Sequence, residues 1–374
     1  MAPELDRDRS PAIPHSKQAV TMEEIARQAG VSKSTVSRAL SNDPRVNLKT
    51  RENVLRLVKE LNYRPHAAAS GLARRRTNVL GLLIPSAPRS FSDPFYLEFI
   101  GGVGDYATSR GFSLLFSSSG HPAREYVGGE DQGGAALPPA DVVLVEANRV
   151  DGVILTEPEQ ADPRIVRLRE RGTPLVVLGR TQYPDVCWVD GDNTGGARMA
   201  VEHLIQHGHR SIGCLTGPTG LAATWNRLLG YREAVTAAGL GFDSGLVVES
   251  DFTEAGGRRA MAALLARRPE MTAVFCSNDL IAVGGLAALR EQGRRVPEDV
   301  ALVGFDGIRL GEYLSPTLTT VQQPIYQMGQ LAAELLIKMV NGEPPAQSQL
   351  SLPLVLRLGE SCGCPQRSPH RLNP

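Results

Sequence analysis

Four side chains in the stretch GVSKSTVSRAL, Lys33, Ser34, Ser37 and Arg38, are of types and at a spacing that could do chemistry together. The apolar residues of the same stretch, Val36, Ala39 and Leu40, fall at i, i+3 and i+4 and take the opposite helical face. A face with a cation at each end and hydroxyls between them buries little, but it hydrogen-bonds well. Lysine and arginine favour guanine O6 and N7, whereas serine is permissive, so the chemistry on offer is the reading of base edges.

Four other patterns suggest catalysis or metal binding and are set aside. GESCG at 359–363 matches the nucleophile-elbow pattern, but no sheet or helix follows it to position the serine. His203 and His207 stand at i, i+4 in HLIQHGH, with His209 two residues on; no carboxylate or cysteine is expected to complete a metal site, and a helix C-terminal cap is the preferred reading. Cys362 and Cys364 alone are too few for zinc. GGVG at 101–104 lacks both the dinucleotide fingerprint and a phosphate-loop lysine. No catalytic residue, metal or cofactor is expected.

The basic face needs a scaffold, and residues 20–62 supply three helices. The first spans about Met22 to Gln28, with Thr21 and Glu24 as a capping box and Gly30 as its stop. Ser32 can cap the second. The third carries Val54, Leu57, Val58 and Leu61 as a closing stripe. Two short helices about a glycine turn, steadied by a third, form a helix-turn-helix, whose second helix enters the major groove.

Charge supports this division. The 374-residue chain has no net charge, yet residues 1–78 hold 15 basic and 8 acidic side chains against 25 and 32 in the remainder. A basic head on an acidic body suits a polyanion met by the head alone. The N-terminal MAPELDRDRSPAIPHSK has no apolar core, so no signal peptide is expected, and no apolar run approaches the roughly 20 residues of a membrane span. Five cysteines, Cys187, Cys214 and Cys276 within apolar runs, suit reduced thiols in the cytoplasm.

From Val79 onwards short apolar runs alternate with helical segments. VLGLLIP, FSLLFSS, DGVILT and PLVVLG come first, then SIGCLTG, TAVFCS and VALVGFD. This is the pattern of parallel sheets covered by helices, and nearly 290 residues of it imply two lobes with a cleft. Ligands of such sheets sit at the carboxyl ends of strands. There the chain places Asn278, Asp279 and Asp306, with Arg227 on the helix after SIGCLTG. Asp279 reads as a helix cap. Arg180 either lines the cleft or pairs on the surface.

AGVS, TVSRAL, TRE, LNYRP and the alanine-rich segment before Leu72 resemble the headpiece and hinge of the lactose-repressor family of bacterial transcription regulators, and the resemblance continues to about Gly363. It implies that Lys33 and Ser34 discriminate operators, that Arg38 contacts a base, and that Thr35, Ser37 and Asn47 contact phosphates. Helix capping or simple exposure is the other reading of Thr35 and Ser37. It implies a hinge helix in HAAASGLARRR that folds on DNA, with Leu72 as a minor-groove wedge. His66 replaces the family's usual asparagine there, and Arg74, Arg75 and Arg76 are phosphate contacts or a solvated linker. In the body it implies effector contacts from Arg227, Asn278 and Asp306, walls from Phe95, Tyr96 and Phe252, and Gln323 at a crossover near the cleft.

The expected architecture is a multi-domain chain: an all-α helix-turn-helix headpiece and hinge helix, then an α/β, two-lobed, parallel-sheet effector domain like a periplasmic binding protein. The expected bounds are a tail at 1–19, headpiece at 20–64, hinge at 65–78, effector domain at 79–366 and tail at 367–374. The lobes take 79–192 with 323–352 and 193–322 with 353–366. The glycine- and proline-rich segment 120–140 departs from the family pattern and reads as a loop. The expected function is a cytoplasmic, homodimeric repressor of carbohydrate-utilisation genes that binds a palindromic operator in double-stranded DNA and responds to a small-molecule effector, a sugar. A purine- or nucleoside-responsive regulator is the alternative. A stand-alone sugar-binding transport protein would need a signal peptide and no helix-turn-helix.

Overall fold

The computed structural model describes residues 20–40, 42–61, 63, 76–85, 92–119, 144–145 and 148–364. The hinge residues His66 and Leu72, the segment 120–140 and both tails lie outside the described residues. The chain divides into two compact units, Met1–Thr77 and Asn78–Pro374, each treated by itself below.

The first unit contains α1 (Met22–Ala29), α2 (Lys33–Leu40) and α3 (Leu48–Glu60). Its core is Ile25, Ala26, Val36, Ala39, Val46, Val54, Leu57 and Tyr63, so the apolar stripes of all three helices meet. Gly30 ends α1 at φ +65°, a conformation open to glycine at no steric cost. Thr21 accepts from the Glu24 amide at 3.3 Å, but the expected capping box is only half made. The Glu24 carboxylate turns instead to Arg27 and to Gln28 Nε2 (2.7 Å), because ion pairing along the helix competes with the reach back to Thr21.

The second unit begins with β1 (Val79–Pro85), α4 (Pro94–Ser109), β2 (Ser113–Ser119), β3 (Gly152–Thr156), α5 (Pro163–Glu170), β4 (Leu175–Leu178) and β5 (Cys187–Gly191). It continues with α6 (Asn193–Gln206), β6 (Ile212–Thr216), α7 (Ala222–Ala237), β7 (Val247–Glu249), α8 (Glu254–Arg267), β8 (Ala273–Cys276), α9 (Asp279–Glu291) and β9 (Ala301–Asp306). Last come β10 (Thr319–Gln322), α10 (Ile325–Val340), β11 (Gln349–Leu352) and β12 (Val355–Arg357). Among the described residues no helix is long and apolar enough to cross a membrane.

These strands form two six-stranded sheets, ordered β2-β1-β3-β4-β5-β11 and β7-β6-β8-β9-β10-β12. Every pairing is parallel except β10 with β12. In the first sheet Leu80, Leu82, Ile84, Ile154 and Val176 join the core on one face, and Leu83, Val153, Leu155 and Val177 the core on the other. Burial on both faces is why the strands read as unbroken apolar runs. α4 and α10 approach closely on one face: a Cβ added to Gly329 would lie 2.3 Å from the Phe99 carbonyl oxygen.

The strand order reverses between β1 and β3, and again between β6 and β8. Such reversals open a crevice at the carboxyl ends of the strands. The chain passes between the sheets after β5, after β10 and after β11, so residues on these crossings sit beside both crevices.

Candidate functional site

On the head, the second helix presents Lys33 and Ser34 exposed and Ser37 and Arg38 half-buried, while Val36 and Ala39 are buried beneath. Ser32 caps α2, accepting from the Thr35 amide at 3.1 Å, and its hydroxyl meets those of Ser34 (2.8 Å) and Thr35 (2.9 Å). Arg38 is steered by its own helix, its Nε donating to the Ser34 carbonyl and its guanidinium to Ser34 Oγ, both at 3.2 Å. Lys33 pairs with Glu23 on α1. Asn47 is the N-cap of α3, its Oδ1 accepting from the Thr50 amide at 2.8 Å. The same region holds Asp43 against Arg45, whose guanidinium keeps that carboxyl well below the usual carboxylate range.

In the second unit one cavity of about 670 Å³, its open mouth included, lies at the strand ends. The seven body residues assigned to the effector site by resemblance all line it: Phe95, Tyr96, Arg227, Phe252, Asn278, Asp306 and Gln323. Among the described residues six outside glycine have positive φ; Asn42, Asn78 and Asn148 tolerate it, and the other three, Glu157 (+47°), Phe252 (+62°) and Asp306 (+108°), all line this cavity. Such backbone costs on the order of 1–3 kcal/mol per residue and persists where the surroundings hold it. Phe252 is held by Gly217, where any Cβ would strike its ring.

Arg227 is the keystone. It is 6% exposed; its Nε donates to Asn193 Oδ1 (2.7 Å), Nη1 donates to the Ser277 carbonyl, and Nη2 pairs with Asp306 Oδ1 at 3.2 Å. Its guanidinium carbon stands 4.0 Å from the centroid of the Phe305 ring. Gln323 Nε2 donates to the same Asp306 oxygen at 2.8 Å. Asn278 is committed to the fold, its Oδ1 capping α9 through the Ile281 amide (2.8 Å) and its Nδ2 donating to the Phe252 carbonyl (3.2 Å).

Asp279, expected as a cap, does something else. It is fully buried behind the cavity and accepts from the Ile308 amide (2.8 Å) and the Thr320 hydroxyl (2.6 Å), latching the loop that follows Asp306 to β10. Arg180 is a rim residue, 3.4 Å from Asp190, 3.6 Å from Asp192 and bonded to Ser351 at 3.0 Å; it is not among the cavity's lining side chains.

The sequence reading missed the cavity's acidity. Asp93, Glu157 and Asp190 join Asp306, with Asn193 between Asp190 and Arg227. Loss of water pushes Asp93 up to about 7, with Asp306 and Glu157 nearby adding repulsion. Burial raises Asp190 to about 7 against the pull of Arg180 and Arg227, and Asp306 to about 6 against Arg227 and Gln323. Burial also raises Glu157, which accepts from the Tyr96 hydroxyl. Asp190 Oδ2 is buried without a hydrogen-bond partner, Arg180 being within ion-pair distance but not donating to it. Glu157 follows DGVILT and Asp190 ends CWVDG, so the strand-end rule that points to Asp306 in the second sheet points to them in the first.

Two negative expectations also change or gain a cause. Ser361, in GESCG, is buried and structural: it donates to the Leu302 carbonyl (2.6 Å) and accepts from the Thr319 amide (2.9 Å). His203 does meet cysteine: Cys364 Sγ lies 3.0 Å from its Nε2 and 2.9 Å from Cys362 Sγ. The sequence separates these groups, and only the return of the chain beside α6 after β12 joins them. His207 caps that helix as expected, with Nδ1 2.8 Å from the His203 carbonyl oxygen.

A helix-turn-helix unit followed by a two-sheet unit with a polar cavity at its strand ends defines a DNA-binding regulator governed by a small molecule. The descriptions "Bacterial regulatory proteins, lacI family" and "Periplasmic binding protein-like domain" match residues 21–66 and 201–362. The chain is 39% identical over 345 residues to the HTH-type transcriptional regulator CelR of Thermobifida fusca, covering 91% of this chain and 98% of that protein. A solved CelR–cellobiose complex, 38% identical, matches with a TM-score of 0.68 over 91% of this chain and 99% of that one. The lac repressor dimer bound to operator and the anti-inducer ONPF, 25% identical, matches with a TM-score of 0.76 over 92% and 99%. The chain belongs to the lacI family of bacterial regulatory proteins.

Proposed function

We propose that this regulator is a cytoplasmic repressor of carbohydrate-utilisation genes that binds a pseudo-palindromic operator as a homodimer and changes its hold on DNA when a neutral sugar enters the cavity. The observation that carries the sugar is the cavity's balance of groups: four carboxyls and one guanidinium, itself held by Asn193, the Ser277 carbonyl and Asp306, between aromatic walls. Acceptors in surplus call for a ligand rich in donors. Carboxyls whose pKa stands near 7 hold a proton part of the time and can donate as well, which suits hydroxyls that do both. Phe95, Tyr96 and Phe252 suit the apolar faces of a pyranose. Asp190 Oδ2 and Asp306 are assigned to hydroxyl contacts, with Arg227 and Asn193 holding them in place. A phosphorylated effector would meet repulsion from these carboxyls. A purine would bring more ring acceptors to a site already rich in them.

The relative solved with cellobiose supports a glucoside, and the lac repressor dimer on operator supports paired headpieces. Lys33, Ser34 and Arg38 are assigned to base edges, with Thr35, Ser37 and Asn47 towards the phosphates. The reading includes no catalytic step. Calorimetry with cellobiose, glucose, ribose, glucose 6-phosphate and adenosine, each repeated as an operator-binding titration, tests it. Binding of a neutral sugar that shifts operator affinity is the expected result. Response to adenosine or the phosphosugar alone would overturn it.

A further inference from the structure

Cys187, Cys214 and Cys276 each sit inside an apolar core cluster, as small hydrophobic fillers do. Cys362 and Cys364 border the same cluster as Cys214 but, unlike it, also meet polar partners. They flank Gly363 in the turn after β12, face each other, and meet the imidazole of His203 on the last turn of α6. The three donor atoms lie within 4.8 Å of one another. Cys362 is buried, whereas His203 and Cys364 are half-buried, so the cluster has an inner wall and an opening to solvent.

Two sulfurs and an imidazole nitrogen are a soft to borderline donor set, which selects Zn²⁺ or Cu⁺ over the oxygen-seeking Mg²⁺ and Ca²⁺. A tetrahedral zinc with Zn–S bonds of about 2.3 Å needs its sulfurs roughly 3.7 Å apart. The present 2.9 Å therefore requires the two sulfurs to part by less than 1 Å, a change within reach of side-chain torsions. Three protein ligands leave a fourth position for water, on the open side.

We propose that His203, Cys362 and Cys364 form a binding site for a thiolate-seeking d10 cation, Zn²⁺ first, that fastens the turn after β12 to the end of α6. Binding needs no oxidant or reductant: each thiol gives its proton to solvent as its sulfur takes the metal. The clamp acts on a helix whose first residue, Asn193, lines the cavity. It ties the turn that follows β12 to the lobe in which β12 is paired.

The test uses the full chain, reduced with a phosphine and freed of it, with Co²⁺ as spectroscopic probe and Zn²⁺ as competitor. One cobalt per chain with a thiolate-to-cobalt charge-transfer band, displaced by zinc and accompanied by a rise in Tm, is expected. Cys364→Ser should lose the band, and His203→Gln should lose about tenfold or more in affinity, as even outer-shell partners do when removed. Should Cys364→Ser fail to fold by circular dichroism, the wild-type stoichiometry and His203→Gln still decide. Reduced protein with all five thiols titratable and no band at saturating cobalt would overturn the proposal. A band that survives Cys364→Ser would overturn it too. So would a Cys362–Cys364 disulfide whose reduction creates no metal affinity, since the pair would then be a redox couple and not a metal site.

Discussion

Asp43 on the head and Asp190 in the cavity are the same side chain beside an arginine, and their carboxyls move in opposite directions. Asp43 pairs with Arg45 in reach of water and is held well below the usual range. Asp190 is 3% exposed, has one oxygen without a hydrogen bond, and is pushed up to about 7 despite Arg180 and Arg227. Water makes the difference. On the recognition face of the head it screens and solvates the exposed charges, so polar side chains stand ready at little cost. In the cavity its loss makes each uncompensated charge expensive, so the site stores energy that a ligand's hydrogen bonds can release.

The sharpest way to break this contrast is Arg227→Ala. Removing the cation that lines the cavity among its carboxyls should cost about 3–5 kcal/mol of stability in the second unit and abolish the effector response, while operator affinity without sugar stays near wild type. Thermal unfolding, calorimetry and operator titrations check this. An unchanged response at ordinary sugar concentrations would show that the effector lies elsewhere. On the exposed side, Arg38→Ala should lose roughly 1–3 kcal/mol of operator binding and relax base preference without lowering Tm. Anisotropy against specific and random DNA decides: equal losses on both would make Arg38 a phosphate contact.

A smaller effect tests the cavity's electrostatics by pH. Asp93, Asp190, Asp279 and Asp306 are all raised from 3.8, to between about 6 and about 8. The folded state therefore holds protons that the unfolded chain has already released, and the contribution of these groups to stability falls as pH rises from about 4 to about 8. Asp190→Asn removes one of them. It should raise Tm by about 2–4 °C at pH 8, with the gain shrinking towards pH 4, while sugar affinity drops. A lower Tm at pH 8 would mean that Asp190 works as a charge held by Arg180. Smallest is the headpiece cap: Asn47→Ala should cost about 1 kcal/mol of headpiece stability, and Asn47→Asp should restore the stability but not the operator affinity. If Asn47→Asp binds operator normally, Asn47 is a cap and nothing more.

The cavity was half legible in advance. Strand-end placement and family resemblance pointed to Arg227, Asn278 and Asp306, and resemblance alone to Phe95, Tyr96, Phe252 and Gln323. All line the cavity, yet Asn278 is spent on capping α9 and on the Phe252 carbonyl. Asp93, Glu157, Asp190 and Asn193 went unread, though the rule that found Asp306 applies equally to β3 and β5.

What the sequence determined by itself is local. The helix-turn-helix, its caps at Thr21 and Ser32, its polar face and the alternation of strands with helices all follow from neighbours a few residues apart, where periodicity and capping chemistry act. What the tertiary structure decided is every relation across long separations. It turned Asp279 from a cap into a latch on the loop that follows Asp306, gathered carboxyls from both sheets into one poorly solvated cavity, and brought Cys364 to His203. None of these leaves a periodic trace, because the chain crosses between the sheets three times, and which side chains then share a site is set by packing and not by spacing.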